Sequence, residues 1–225
     1  MVVAFACLVA FLVLAEGLAL LRMYRSLTSY QNYWTTRAKE DGELLYVALG
    51  DSAAQGIGAS QPQKGYVGLL ANRLADKTGK TVQVVNVSKS GGKVEDVLKD
   101  QLPAVASLKP DVVTIEIGAN DIASFDSQKF EHEFTELVTK LPKDTYVTNM
   151  PYFGSRPNRR PIALEATKII ERVVAKNPRV KLVNLQSITQ ERDSLQNYAA
   201  DYFHPNDRAY INWADAFWEE IDGQL

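Results

Sequence analysis

The chain has 225 residues with 25 Lys and Arg against 27 Asp and Glu, a formal charge of −2. Its 46% hydrophobic and 23% charged residues are those of a globular protein able to fill a core. The charge balance, with no basic stripe carrying interleaved aromatics, argues against a nucleic-acid partner. One cysteine, Cys7, allows no internal disulfide and argues against a cysteine-based metal site. Histidines are equally scarce, and any imidazole base must be His132 or His204.

Residues 2–21 (VVAFACLVAFLVLAEGLALL) are apolar apart from Glu16 and Gly17. About 20 such residues span a bilayer as a helix, so residues 1–21 are read as a single-pass membrane anchor or an uncleaved signal. Only the amino terminus supplies positive charge before the run, and the run exceeds a usual signal core, which favours retention. Arg22, Arg25, Arg37 and Lys39 follow it and by the positive-inside tendency would put the rest of the chain in the cytoplasm. The preferred expectation is nonetheless an extracytoplasmic domain, with the sidedness left open. Residues 22–43, polar with Tyr24, Tyr30, Tyr33 and Trp34, read as a linker with an interfacial belt, or as a short connecting helix. A chain starting near Asp41 is therefore expected to keep the whole fold.

From residue 44 to 225 the pattern alternates. Apolar strand runs at 44–49, 81–87, 111–117, 144–149 and 179–184 are followed by helical periodicity near 65–78, 93–107, 127–140, 161–176 and 207–221. Five strands alternating with helices of this length predict βαβ units, a parallel sheet and a three-layer, doubly wound α/β domain. This domain is expected to be monomeric.

Four loops leave the carboxyl ends of strands or lie near the C-terminus, the edge where open α/β sheets bind ligands. The first strand breaks at Gly50 and leads into Asp51 and Ser52. Gly56 and Gly58 follow, but without the Lys-Ser or Lys-Thr pair of a phosphate loop. The others hold Ser90-Gly91-Gly92, Gly118-Ala119-Asn120-Asp121 and Asp201-Tyr202-Phe203-His204. A serine hydroxyl needs a base to take its proton, and His204 suits that task, with Asp201 three residues earlier to hold the ring. The N–H groups of Ser52 and Gly91 and the Asn120 amide would be donors for an oxyanion.

These four blocks, in this order, resemble those of the SGNH/GDSL hydrolase family from residue 44 to about 221. The fourth letter of the usual Gly-Asp-Ser-Leu is Ala53 here. The resemblance implies a flavodoxin-like fold and hydrolysis of esters or thioesters with neither metal nor cofactor. It makes Ser52 the nucleophile, His204 the base with Asp201, and Ser52, Gly91 and Asn120 the oxyanion hole, with Gly92 an alternative to its neighbour.

Asp51 and Asp121 are expected to fix loops by accepting backbone N–H bonds. His132, between Glu131 and Glu133, reads as a solvated helix position, and Glu116 as a structural pair within its strand. Tyr152 and Phe153 are placed in the acyl or alcohol pocket, with plain packing as the competing reading. Arg156, Arg159 and Arg160 read as a solvated loop. The substrate is expected to be an acylated lipid or glycan. A non-catalytic module holding an acylated ligand is the alternative.

Overall fold

The computed structural model describes residues 2–224. Five parallel strands form one sheet in the order β2-β1-β3-β4-β5. They are β1 (Leu44–Gly50), β2 (Val82–Asn86), β3 (Val112–Glu116), β4 (Thr145–Thr148) and β5 (Val180–Val183). In this order the chain reverses direction across the sheet between β1 and β3, which opens a crevice at their carboxyl ends. Every residue of β3 is buried, and β1 is buried save for half-exposed Leu45, because helices cover both faces.

Alternation along β1 sends Tyr46 and Ala48 to one core and Val47 and Leu49 to the other. The first core is closed by α3 (Tyr66–Thr78), α8 (Leu185–Glu191) and α9 (Asp207–Ile221). There Tyr66 stacks on Phe217 with ring centroids 5.0 Å apart. The second core is closed by α6 (Ser127–Lys140) and α7 (Arg160–Ala175), and by a segment with two short helices, α4 (Val94–Asp96) and α5 (Leu102–Val105). Between α4 and α5 the expected single helix widens into a π-helical stretch, Val97–Gln101. Pro103 lacks an N–H to continue an α ladder, and the wider turn accommodates it.

The first helix, α1, runs unbroken from Val2 to Arg37. Residues 22–43, expected as a linker or short connecting helix, are therefore helical through Arg37 and continuous with the apolar run. No proline or glycine interrupts residues 18–37. Tyr30 and Trp34, one helical turn apart, lie on the same face and are buried. Trp34 belongs to the first core, its Nε1–H donates to the Gln55 carbonyl at 3.0 Å, and the Tyr30 hydroxyl donates to the Ala59 carbonyl at 2.7 Å. Arg37 donates to the Val82 carbonyl, and Gln83 to the Ala38 carbonyl. Residues 7–21 are all exposed, and Phe5, Phe11 and Val13 are about two-thirds exposed.

This packing divides α1 near residue 21. A chain starting at Arg22 is expected to fold fully. One starting at Asp41 loses the Trp34 side chain, whose removal from a core costs about 3–5 kcal/mol. Urea unfolding compares the two directly, and equal midpoints would show that Trp34 adds nothing to the domain.

Candidate active site

Ser52 opens α2 (Ser52–Gln55), a single helical turn directly after β1. The chain can turn there because Gly50 has φ +141° and lies against β3, where an added Cβ would sit 2.2 Å from the Glu116 carbonyl oxygen. Gln101 clasps the same residue on both sides. Its Oε1 accepts from the Gly50 N–H at 2.9 Å and its Nε2 donates to the Gly50 carbonyl at 2.8 Å. Asp51 caps the turn, its Oδ1 accepting from the Ala53 N–H at 2.9 Å, the loop-fixing role expected of it. Asp121 does the same more weakly, receiving the Val94 N–H at 3.4 Å.

His204 arrives from the loop before α9. Its Nε2 lies 3.0 Å from the Ser52 hydroxyl, and its Nδ1 lies 2.6 Å from Asp201 Oδ2. The other oxygen of Asp201 accepts the N–H groups of Phe203 and His204, both at 3.0 Å. Burial opposes the Asp201 charge, but the His204 contact and these two N–H groups outweigh it and hold the carboxyl at about 2. The loop is tight. Tyr202 takes a left-handed φ of 52°, its carbonyl accepting from the Ser155 hydroxyl at 2.6 Å. Behind it, a Cβ on Gly58 would stand 2.3 Å from the Pro205 carbonyl and 2.9 Å from the His204 Cβ. An imidazole so held can take a proton from Ser52 through Nε2 while Nδ1–H stays bonded to the carboxylate.

The third loop carries Gly91. Gln55 braces it, donating to the Ser88 carbonyl at 2.9 Å and accepting the Ser90 hydroxyl at 2.5 Å. The Gly92 N–H is occupied by the Lys89 carbonyl at 2.9 Å. Among the described residues the N–H groups of Gly91 and Ser52 have no hydrogen-bond partner, so of the two adjacent glycines Gly91 has the available donor. Asn120, after β3, stands on the same rim. Its Nδ2 donates to Asp51 Oδ2 at 2.9 Å and to the Gly92 carbonyl at 3.0 Å.

Under this rim the Asp51 and Glu116 carboxyls lie close enough to interact, both fully buried. Burial raises both. Asp51 stops at about 6 because the Ala53 N–H and the nearby His204 favour its charge. Glu116 rises further, since its nearest charged neighbour is Asp51 itself, and its Oε2 has no partner among the described residues. Burial and the facing Asp51 carboxylate thus both favour the protonated form of Glu116. The structural pairing expected of Glu116 is thus with Asp51.

Tyr152 and Phe153 line one cleft together with Ser52 and His204, as do Arg156 and Phe203. Arg156 lies over the Phe203 ring at 4.2 Å, and Arg160, expected in solvent, donates to the Phe153 and Gly154 carbonyls and covers the Tyr152 ring. His132 is exposed on α6. Among the described residues no group of His, Cys, Asp and Glu could hold a metal ion. Sequence reasoning missed Gln55, Gln101 and Trp34 as supports of the site, since a lone polar or aromatic residue in a helix carries no spacing signal.

Residues 48–210 match the GDSL-like Lipase/Acylhydrolase family. Over 216 residues the chain is 26% identical to YpmR, an uncharacterised protein of Bacillus subtilis, spanning 83% of this chain and 84% of that one. It is 32% identical over 166 residues to the esterase TesA of Pseudomonas aeruginosa, spanning 72% of this chain and 79% of TesA. A solved lipase/acylhydrolase from Enterococcus faecalis has the same fold, with a TM-score of 0.69 at 24% identity over 81% of this chain and 97% of that one. With a family match across most of its length and an esterase as a relative, this carboxylic ester hydrolase belongs to the GDSL-like lipase/acylhydrolase family.

Proposed function

We propose that the protein is a membrane-anchored serine esterase working through an acyl-enzyme, with Ser52 as nucleophile. The observation that carries this reading is the unbroken chain of contacts from Ser52 Oγ through His204 to Asp201. Ser52 Oγ attacks the ester carbonyl as His204 Nε2 takes its proton. The tetrahedral oxyanion is received by the N–H groups of Ser52 and Gly91 and by the Asn120 amide. His204 then gives the proton to the departing alcohol oxygen, the C–O bond breaks and the acyl group stays on Ser52. Water, deprotonated by His204, attacks the acyl carbonyl, and the second tetrahedral species collapses to the free acid and restores the serine.

Both Asn120 amide hydrogens are engaged at rest. In this reading the oxyanion displaces the Gly92 carbonyl, while Asp51 keeps hold of the amide, and the Glu116 proton keeps Asp51 from facing a second charge. Tyr152 and Phe153 supply the wall on which the acyl or alcohol group lies. The apolar run 2–21, exposed from residue 7 onward, supports a bilayer anchor, with residues 22–37 rooted in a catalytic domain that functions as a monomer.

Ser52→Ala is expected to fold normally, lose turnover of p-nitrophenyl butyrate and fail to take up a fluorophosphonate probe. Retained turnover in the folded variant would rule out the serine mechanism and leave the non-catalytic, ligand-holding reading without support as well. Asn120→Ala is expected to lower kcat by about 10²–10³-fold with a smaller change in KM, because the bond strengthens as charge develops. Steady-state kinetics that leave kcat unchanged would remove Asn120 from the oxyanion hole.

Glu116 gives a prediction with a definite sign. A carboxyl whose pKa is raised on folding stabilises the fold below its unfolded value, and that stability is lost as pH rises through the folded value. Burial raises Glu116 in this way. Wild-type unfolding midpoints are therefore expected to carry a loss that sets in as pH rises above the ordinary glutamate value of 4.5. Glu116→Gln, which keeps a donor for Asp51 but cannot ionise, is expected to lack its share of that loss. Parallel pH profiles for the two proteins would contradict the assigned protonation.

A further inference from the structure

The contacts of α1 fix a direction as well as a position. Arg37 and Ala38 bond to Val82 and Gln83, at the amino end of β2. Trp34 bonds to Gln55 in the turn after β1, and Tyr30 to Ala59 beyond it. Over the next two turns Ser26, Met23 and Arg22 border a groove whose other wall is formed by Gly58–Ser60, Ala199–Ala200 and Asn206–Arg208. Read from Arg37 toward Val2, the helix climbs from the amino edge of the sheet to its carboxyl edge and continues past it. Its apolar residues thus begin on the side of the domain that holds Ser52 and His204.

The height follows from helix geometry. Leu21 lies nine residues above Tyr30, about 14 Å at 1.5 Å per residue. Tyr30 is bonded to Ala59, next to Gly58, where an added Cβ would meet His204. The 20 residues from Val2 to Leu21 extend about 30 Å, the thickness of a hydrocarbon core. The edge below them carries matching groups. Arg22, Arg25, Arg156 and Arg208 are exposed there, as are Tyr24 and Tyr202. Cations and amphipathic aromatics of this kind suit an anionic headgroup layer. The groove also contains Asp207, which is occupied by Ser60 and Lys64.

We propose that the cleft edge of the domain rests on the bilayer that α1 enters, and that the ester it hydrolyses is a lipid-phase acyl ester of that same membrane. The substrate half of this statement rests on the serine-esterase reading; the orientation rests on α1 alone. An unbroken helix rooted by Tyr30, Trp34 and Arg37 leaves no hinge, so the cleft cannot swing away. A substrate then reaches Ser52 by rising a short way out of the leaflet rather than by diffusing through water.

The test uses the full chain, with Cys7→Ser, in vesicles of phosphatidylcholine and phosphatidylglycerol. Single cysteines replace Gln61 and Tyr202 at the cleft edge and Lys143 at the opposite edge, ahead of β4, and each carries an environment-sensitive fluorophore. A nitroxide on the lipid headgroup is expected to quench the labels at 61 and 202 and to spare the label at 143. Equal quenching at all three, stronger quenching at 143, or fluorophore self-contact at 61 and 202 from a second copy on this edge would each overturn the orientation.

A second measurement inserts ten glycines and serines between Leu21 and Arg22. Hydrolysis of a fluorogenic diacylglycerol in the vesicle is expected to fall about tenfold or more, as fixed orientation is lost, with hydrolysis of soluble p-nitrophenyl butyrate unchanged. An undiminished rate on the vesicle ester would overturn the claim that orientation delivers the substrate. If the chain were not a serine esterase, butyrate turnover would be absent while the quenching pattern stood, so the two failures are distinct.

Discussion

The hydrogen bond from the Asn120 amide to Asp51 is the contact on which the rest of the site depends. It joins the loops that leave β1 and β3, the two strands at which the sheet reverses direction. Strands alone bring these loops to the same edge within several ångströms. A charged acceptor inside the protein then fixes which way the amide points, because burial leaves Asp51 with few other partners. The acid beneath it belongs to the same arrangement. A second charge at Glu116 would repel Asp51 in a medium that screens poorly, which drives Glu116 toward its protonated form.

The turn bearing Ser52 is held from three directions. Gln101 grips it from the helices of one face, Gln55 ties it to the glycine loop, and Trp34 reaches it from the first helix. None of these residues contacts the space in front of the serine. Apart from the Ser90 hydroxyl that Gln55 accepts, they act on backbone groups, which a strand end leaves unpaired and which must find partners when buried. The region beside the nucleophile is therefore rigid, while the wall made by Tyr152 and Phe153 rides on a loop pinned by Arg160.

Much of this was legible in the sequence. The alternation of short apolar runs with amphipathic helices gave five parallel strands, and α6 occupies 127–140 as its periodicity indicated. Ser52, His204 and Asp201 could be paired in advance because only two histidines exist and one follows an aspartate by three residues. Other features had no sequence signal. That Gly91 rather than Gly92 has the unengaged N–H depends on a turn formed by Lys89. The polar and aromatic stretch after residue 21 reads as a linker because tyrosine and tryptophan just beyond an apolar run suit a membrane interface. Only the placement of Tyr30 and Trp34 on one helix face, against a surface made by distant residues, shows that it is packed. The same holds for Glu116, whose protonation is set by neighbours brought together only in three dimensions.

The clasp of Gln101 on Gly50 has a consequence for how this site tolerates change. A side-chain amide stands where a further strand would offer a peptide group, presenting one donor and one acceptor at the spacing that Gly50 requires. The position of the serine above the sheet is in this sense measured by the reach of one side chain. Asparagine has the same amide but is shorter by a methylene and could not meet both contacts from the same backbone. Glutamate has the reach but would turn an oxygen toward the Gly50 carbonyl unless it carried a proton. Position 101 thus combines a length requirement with a polarity requirement, and among the common side chains glutamine alone meets both without a change of protonation.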